Sequence, residues 1–176
     1  LSNAGRQRLE RLLPLLIQAV APIANAPACL NRLLELITVI AKRSTYLALL
    51  SENPAVLTQL VQLAAASPWI IKQLQQVPLL LDQLLDSRAL YHLASRQELE
   101  ADLARRLESI DPTDQESLLE ALRNFKQSHT LSVAAVDVMG LMPLMTVSDQ
   151  LTTLAEVILE RVLQLARSDL QARYGA

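Results

Sequence analysis

Leu9, Leu12, Leu13, Leu16 and Ile17 recur at three- and four-residue spacing over residues 6–20. That pattern predicts an amphipathic helix, with Pro14 as a kink inside it. A loop follows through Pro22, Asn25 and Pro27, and the next helix carries Leu30, Leu33, Leu34, Ile37, Ile40 and Ala41 on one broad face. Ser44 opens a shorter helix that runs through Leu50. Asn53-Pro54, Ser67-Pro68 and Val77-Pro78 then begin three similar units, each followed by an apolar block with a glutamine: AVLTQL, WIIKQL and LLLDQL. In the first two a capping side chain precedes a proline at the first helical position, where a missing N–H costs nothing. The spacings of 14 and 10 residues are too short and uneven for a solenoid repeat. Three short helices turning sharply on one another are expected.

The second half is written in longer periods. Ser95 and Glu98 have the spacing of a capping box, opening a helix with Leu99, Leu103 and Leu107 inward and Arg105, Arg106 and Glu108 exposed. Asp111-Pro112 breaks it. The longest element is expected over 114–139, with Leu118, Leu122, Phe125, His129, Val133 and Val136 as its stripe, stopped by Gly140 and Pro143. The last helix is expected over 148–174, with Leu151, Leu154, Ile158, Val162 and Leu165 along one edge. At ~1.5 Å per residue each of these two would span roughly 40 Å, and the short link at 141–147 favours an antiparallel hairpin. The expected fold is all-α, a multi-helix bundle ending in a long antiparallel helix hairpin. There is no initiator methionine, and Ser2, Asn3 and Ala4 read as a tag remnant. The expected organisation is a remnant at 1–4, a short-helix subdomain at 5–92 and a long-helix bundle at 93–176, packed together as one domain of a larger protein.

Composition narrows the function more than the fold. Half the chain (51%) is hydrophobic and 39 of 176 residues are leucine, against five aromatics and three glycines. That excludes disorder, and it lacks the β-branched, aromatic and turn residues that a β-sandwich would need. Sixteen basic residues against eighteen acidic leave a net charge of −2, with no basic excess to neutralise a nucleic-acid backbone. No charge-free apolar run reaches the ~18 residues of a membrane helix, so a soluble protein with a large core is expected. The single Cys29 has no internal disulfide partner, and His92 and His129 lie far apart, so no zinc site is expected.

The chemistry missing from the chain is as informative. Gly5, Gly140 and Gly175 stand alone, so there is no glycine-rich phosphate loop. Asp82 and Asp86 share a helix face at i, i+4, which reads as a solvated face before it reads as a cation site. Phosphoryl and nucleotidyl transfer need metal-bound carboxylates around the phosphates, and no such set is visible. His129, on an apolar stripe, reads as a core histidine satisfied by one hydrogen bond, with a functional role as the competing reading. Cys29 reads as a small buried hydrophobe, and Trp69 as a packing anchor or the seat of a partner. Lys126 and Arg123 read as a solvated face or an anion site.

Two stretches go beyond generic helix. One is RNFKQSHTLSVAAVDVMGLMPLMTVSDQLTTLAEVILE, residues 123–160; the other runs from STYLALLSENP (44–54) through ASPWI (66–70) to LLDSRALY (84–91). Together they resemble the helical region of the bacterial glutamine synthetase adenylyltransferase family, over nearly the whole chain. Phe125, Lys126, Gln127, Val133, Ala134, Ala135, Asp137, Gly140, Pro143, Leu144, Met145, Val147, Ser148, Asp149, Leu151 and Thr152 carry the match. Where the family often has histidine after the Ser-Asp pair, this chain has Gln150.

The resemblance implies a bifunctional, cytoplasmic parent enzyme that adds AMP to glutamine synthetase and removes it in nitrogen regulation. It implies two nucleotidyltransferase domains using ATP and magnesium, and partners that include glutamine synthetase and the PII signalling protein. This segment would be the non-catalytic helical linker before the second, adenylylating domain, whose Gly-Ser and paired aspartates would follow the chain. No catalytic residue, metal or cofactor is then expected within the segment, and no nucleic-acid or membrane partner. Phe125, Lys126, His129, Asp137, Gly140, Pro143, Ser148 and Asp149 are its family-motif and interdomain candidates. Two competing readings remain: a free-standing helical interaction scaffold, and a carrier of an apolar ligand in an enclosed dry cavity. A piece cut from a larger enzyme should bare an apolar face.

Overall fold

A computed structural model describes residues 3–82 and 93–175. Among these the chain forms eight α-helices and one 3-10 turn, with no strand, so the fold is all-α as expected. Residues 84–91, together with Asp86 and His92, lie outside the described set. The chain divides into two compact units, one within Leu1–Tyr91 and Ala134–Leu141, the other within His92–Val133 and Met142–Ala176.

The first unit opens with α1 (Asn3–Val20), which takes in Asn3 and Ala4 and carries Pro14 inside it. Its buried line is Leu12, Leu16 and Val20, spaced by four. Leu9 and Leu13 sit at the edge of that line, while Ile17, expected inside, is 57% exposed. A helix packed on one side buries a limited arc, and Ile17 lies about 100° around from Leu16. α2 (Ala26–Ile40) buries Cys29, Leu33, Leu36, Ile37 and Ile40, leaving Leu30 and Leu34 only half-buried. α3 is Ser44–Glu52.

α4 (Pro54–Ala66) and α5 (Pro68–Gln76) each begin on proline, and the chain turns by 117° between them. A 3-10 turn, Pro78–Leu80, follows. Ser67 caps α5 by accepting a hydrogen bond from the Ile70 N–H at 3.5 Å. Asn53 does not cap α4. Its side-chain amide and its backbone N–H both donate to the Leu49 carbonyl, at 3.1 and 3.0 Å, closing the end of α3 instead. One residue between two helices can serve either, and here the orphan carbonyl of the preceding helix takes it.

α1 packs chiefly on α3, and α2 on α5 and α4. Polar links between this unit's helices run both to side chains, as from Tyr46 to Asp82 and from Gln75 to Glu35, and to backbone. Arg32 donates to the Ala64 carbonyl at 2.8 Å, in the last turn of α4, where a cation meets the negative end of the helix dipole. The Cys29 thiol faces the Val61 carbonyl at 3.7 Å.

The second unit contains α6 (Arg96–Glu108), most of α7 (Gln115–Val138) and α8 (Leu144–Tyr174). Leu99, Leu103, Leu107, Leu118, Leu122, Phe125, Leu154 and Val157 form its core, and α8 packs chiefly on α6. The capping box of α6 is complete: the Ser95 N–H donates to the Glu98 carboxylate at 2.8 Å, and the Ser95 hydroxyl accepts from the Glu98 N–H at 3.4 Å. Asp114 caps α7 by accepting from the Ser117 N–H at 3.1 Å.

Residues 134–141, at the end of α7, belong to the first unit, with Ala135 and Val136 fully buried. α7 ends in a Schellman motif. The Leu141 N–H reaches the Val136 carbonyl at 3.1 Å and the Gly140 N–H the Asp137 carbonyl at 2.9 Å, with Gly140 at φ +65°. α8 starts four residues before the expected Ser148, because Pro143 is its N-cap and the Pro143 carbonyl accepts from the Val147 N–H at 3.2 Å. No single helix among the described residues is long and apolar enough to cross a membrane.

Candidate functional site

Of the eight candidate residues, Phe125, Lys126, His129, Pro143, Ser148 and Asp149 fall in the second unit, and Asp137 and Gly140 in the first. Phe125 and His129, one turn apart on α7, are brought together with ring centroids 4.5 Å apart and planes tilted by 60°. Phe125 is fully buried and His129 half-buried, whereas Lys126 and Arg123 both stand exposed. Ser148 and Asp149 lie exposed near the start of α8, their carbonyls accepting from the Thr152 and Thr153 hydroxyls at 3.0 and 2.9 Å. Pro143 and Gly140 have the backbone roles given above. Asp137 is exposed, and its carbonyl closes the end of α7.

His129 leads to residues that the sequence pattern did not single out. Its Nε2 lies 3.1 Å from the Asp102 carboxylate on α6. The same carboxylate accepts from Arg106 Nε at 2.8 Å and from Arg105 at 3.1 Å. The Arg106 guanidinium also lies over the Phe125 ring, 5.6 Å from its centroid, within reach of a cation–π attraction. Arg106, expected to be exposed, is therefore half-buried and committed.

Burial pushes the Asp102 carboxyl up, but the hydrogen bond from His129 and the charge of Arg106 outweigh it and hold the group below its ordinary value. Burial dominates at His129 and holds the imidazole below its ordinary 6.5, against the opposing pull of Asp102 and with a further push from Arg106. At neutral pH the pair is thus an ionised Asp102 and a neutral His129 that donates Nε2–H to it, which assigns the tautomer through the hydrogen bond.

A signal for this cluster was present. Asp102 precedes Arg105 and Arg106 at i, i+3 and i, i+4, the spacing of helical ion pairs. His129 also joins Ser132 and Gln150 in lining a small, partly open hollow of about 10 Å³, room for about one water and far too small for an apolar cargo.

A second polar junction ties α6 to α8. Arg96 donates to Glu100 at 2.9 Å on its own helix, and to Glu156 at 2.8 Å and Glu160 at 2.6 Å on α8. Among the described residues no three of His, Cys, Asp and Glu are grouped to hold a metal ion. The carboxylates that do converge close on a guanidinium. This donor set does not fit magnesium, and no metal-dependent step is assigned to these residues.

The chain is similar to segments of much longer proteins. Residues 57–176 match the family model for glutamate-ammonia ligase adenylyltransferase. The bifunctional glutamine synthetase adenylyltransferase/adenylyl-removing enzyme of Thioalkalivibrio sulfidiphilus is 50% identical over 175 residues, covering 99% of this chain and 18% of that protein. The enzyme of the same name from Nitrosococcus oceani is also 50% identical over 175 residues, with the same coverage. That of Methylococcus capsulatus is 46% identical over 179 residues, covering 99% of this chain and 19% of that one. The chain thus spans less than a fifth of the length of the curated relatives it matches.

Proposed function

The chain belongs to the glutamate-ammonia ligase adenylyltransferase family, and from that premise we propose that it is a non-catalytic helical section of a bifunctional enzyme that adenylylates and deadenylylates glutamine synthetase. Its work is mechanical: it supports the nucleotidyl-transfer domains, which bring ATP and magnesium, and sets their approach to glutamine synthetase. The observation that carries this reading is identity running along 99% of the chain to proteins more than five times its length. The parent works in the cytoplasm and answers to the PII signalling protein in nitrogen regulation.

Further support comes from how the strongly interacting side chains are used. Asp102, His129, Arg105 and Arg106 hold one another, and Arg96 holds three glutamates, an economy suited to a rigid brace. Lys126, Asp137, Ser148 and Asp149 remain exposed, and in this reading they face the enzyme's other domains. Replacing Lys126 and Asp137 with alanine in the intact enzyme is expected to cut AMP transfer to glutamine synthetase several-fold while leaving its melting temperature unchanged. Unchanged transfer rates would remove these two residues from the interdomain surface.

A further inference from the structure

Helix α8 is apolar on two sides. Val147, Leu154 and Val157 are buried in the second unit. On another side Leu159, Leu163, Ala166, Leu170 and Tyr174 follow one another at intervals of four, three, four and four residues, and all five are exposed. Leu163 is 68% exposed, Leu170 57% and Tyr174 80%. At ~100° per residue this second line is rotated roughly 170° from the buried one, so one core cannot cover both. Scattered exposed leucines are ordinary, but a line that keeps helical spacing for four turns is the pattern of a contact face.

The shape of the line selects its occupant. It is one side chain wide and about 22 Å long by the helical rise, which fits the ridge of a single helix better than the broad face of a sheet. Ala166, between Leu163 and Leu170, leaves a shallow open hollow that Leu163, Leu170 and Tyr174 also line, the kind of hole that receives a knob from a facing helix. Arg167 and Arg173 flank it at about 60° to either side, with Glu160 and Asp169 farther round, so its border carries both signs. More than four-fifths of the length of the relatives lies outside this chain.

We infer that an amphipathic helix from the part of the same enzyme polypeptide outside this chain packs lengthwise on α8 over residues 159–174. This rests on the reading of the chain as a section of that enzyme, and it assigns the section its docking edge.

The test places a benzophenone-bearing amino acid at position 163 of the intact enzyme and irradiates it. The expected product has monomer mass, with the cross-link joining position 163 to a helical segment outside these 176 residues that carries an apolar line of its own. A product of dimer mass would make a second copy the occupant and overturn the inference, as would the absence of any product. In parallel, Leu163→Glu with Leu170→Glu should leave the melting of the isolated chain unchanged and raise hydrogen exchange along α8 of the intact enzyme several-fold. Exchange equal to that of the unsubstituted intact enzyme would also overturn it. AMP transfer by the isolated chain would instead overturn the underlying reading, so the two failures are distinguishable.

Discussion

Among the described residues the first unit has five helices of nine to eighteen residues, closed over a core of aliphatic side chains such as Leu12, Leu33, Leu63 and Ile70. The second has helices of thirteen, twenty-four and thirty-one residues, the middle one ending in the first unit, around a smaller core. The first unit ties its helices partly through backbone carbonyls, as at Arg32 and Cys29, and partly through neutral donors on carboxylates, as at Tyr46 and Gln75. Polar links in the second run between charged side chains on different helices, as at Asp102 and Arg96.

Short helices have many ends, and each end leaves carbonyls and N–H groups that side chains can satisfy. Long helices have few ends and long flanks, so charges along the flanks fix their lateral positions. The same contrast leaves the first unit's helices largely covered by one another and α8 bare along one side of its last four turns.

The largest effect separating the units should come from their cores. Phe125→Ala, which removes a fully buried ring that also contacts His129 and Arg106, is expected to destabilise the second unit by about 3–5 kcal/mol, measured by urea unfolding followed by circular dichroism. A loss below ~1 kcal/mol would mean that this core is not what holds the unit. Next comes the charged junction. Asp102→Ala strands His129 and Arg106 and should cost about 1.5–3 kcal/mol by the same measurement, and a neutral result would show the cluster to be decorative.

Helix ends sharpen the comparison on a smaller scale. Ser95→Ala should cost ~1 kcal/mol because it dismantles a full capping box. Asn53→Ala should cost ~0.5 kcal/mol or less, since it does not cap the helix it precedes. Equal losses would mean that Asn53 serves α4 in solution.

Titration should divide the units by direction. His129 is held below 6.5 in the fold, so its contribution is full above that value and is lost as pH falls below it. Asp102, held below 3.8, loses its contribution lower still in the same direction. The Cys29 thiol is pushed above 9.0 by burial, so its contribution is full below that value and fades as pH rises past it. Hydrogen exchange should therefore quicken first in α6 and α7 on acidification and first in α2 on alkalinisation. His129→Gln should abolish this first acid-side loss, and its persistence would locate it elsewhere.

Much of the fold was legible because leucine spacing and prolines announce helices directly: Ser44 opens α3, Pro54 and Pro68 begin α4 and α5, and Ser95 with Glu98 opens α6. What was not legible depends on which of two neighbours a polar group serves. Asn53 turns back to α3, and Pro143 begins α8 as well as following α7, and residue type alone is neutral between those choices. The His129 cluster was half visible. The stripe drew attention to His129, but its partner Asp102 is 27 residues away in sequence, a distance that periodicity does not bridge. The edge expected along Leu151 and Val162 is exposed at both, because α8 carries two apolar lines and the pattern alone does not tell which one meets the core.

The central claim is that this chain braces chemistry done by other parts of its enzyme. Transfer of radiolabelled AMP from ATP to glutamine synthetase, in the presence of magnesium, measures it most directly in the purified 176-residue chain beside the intact enzyme. The account predicts label incorporation by the intact enzyme and none above background with the chain alone, and turnover by the chain alone would contradict it.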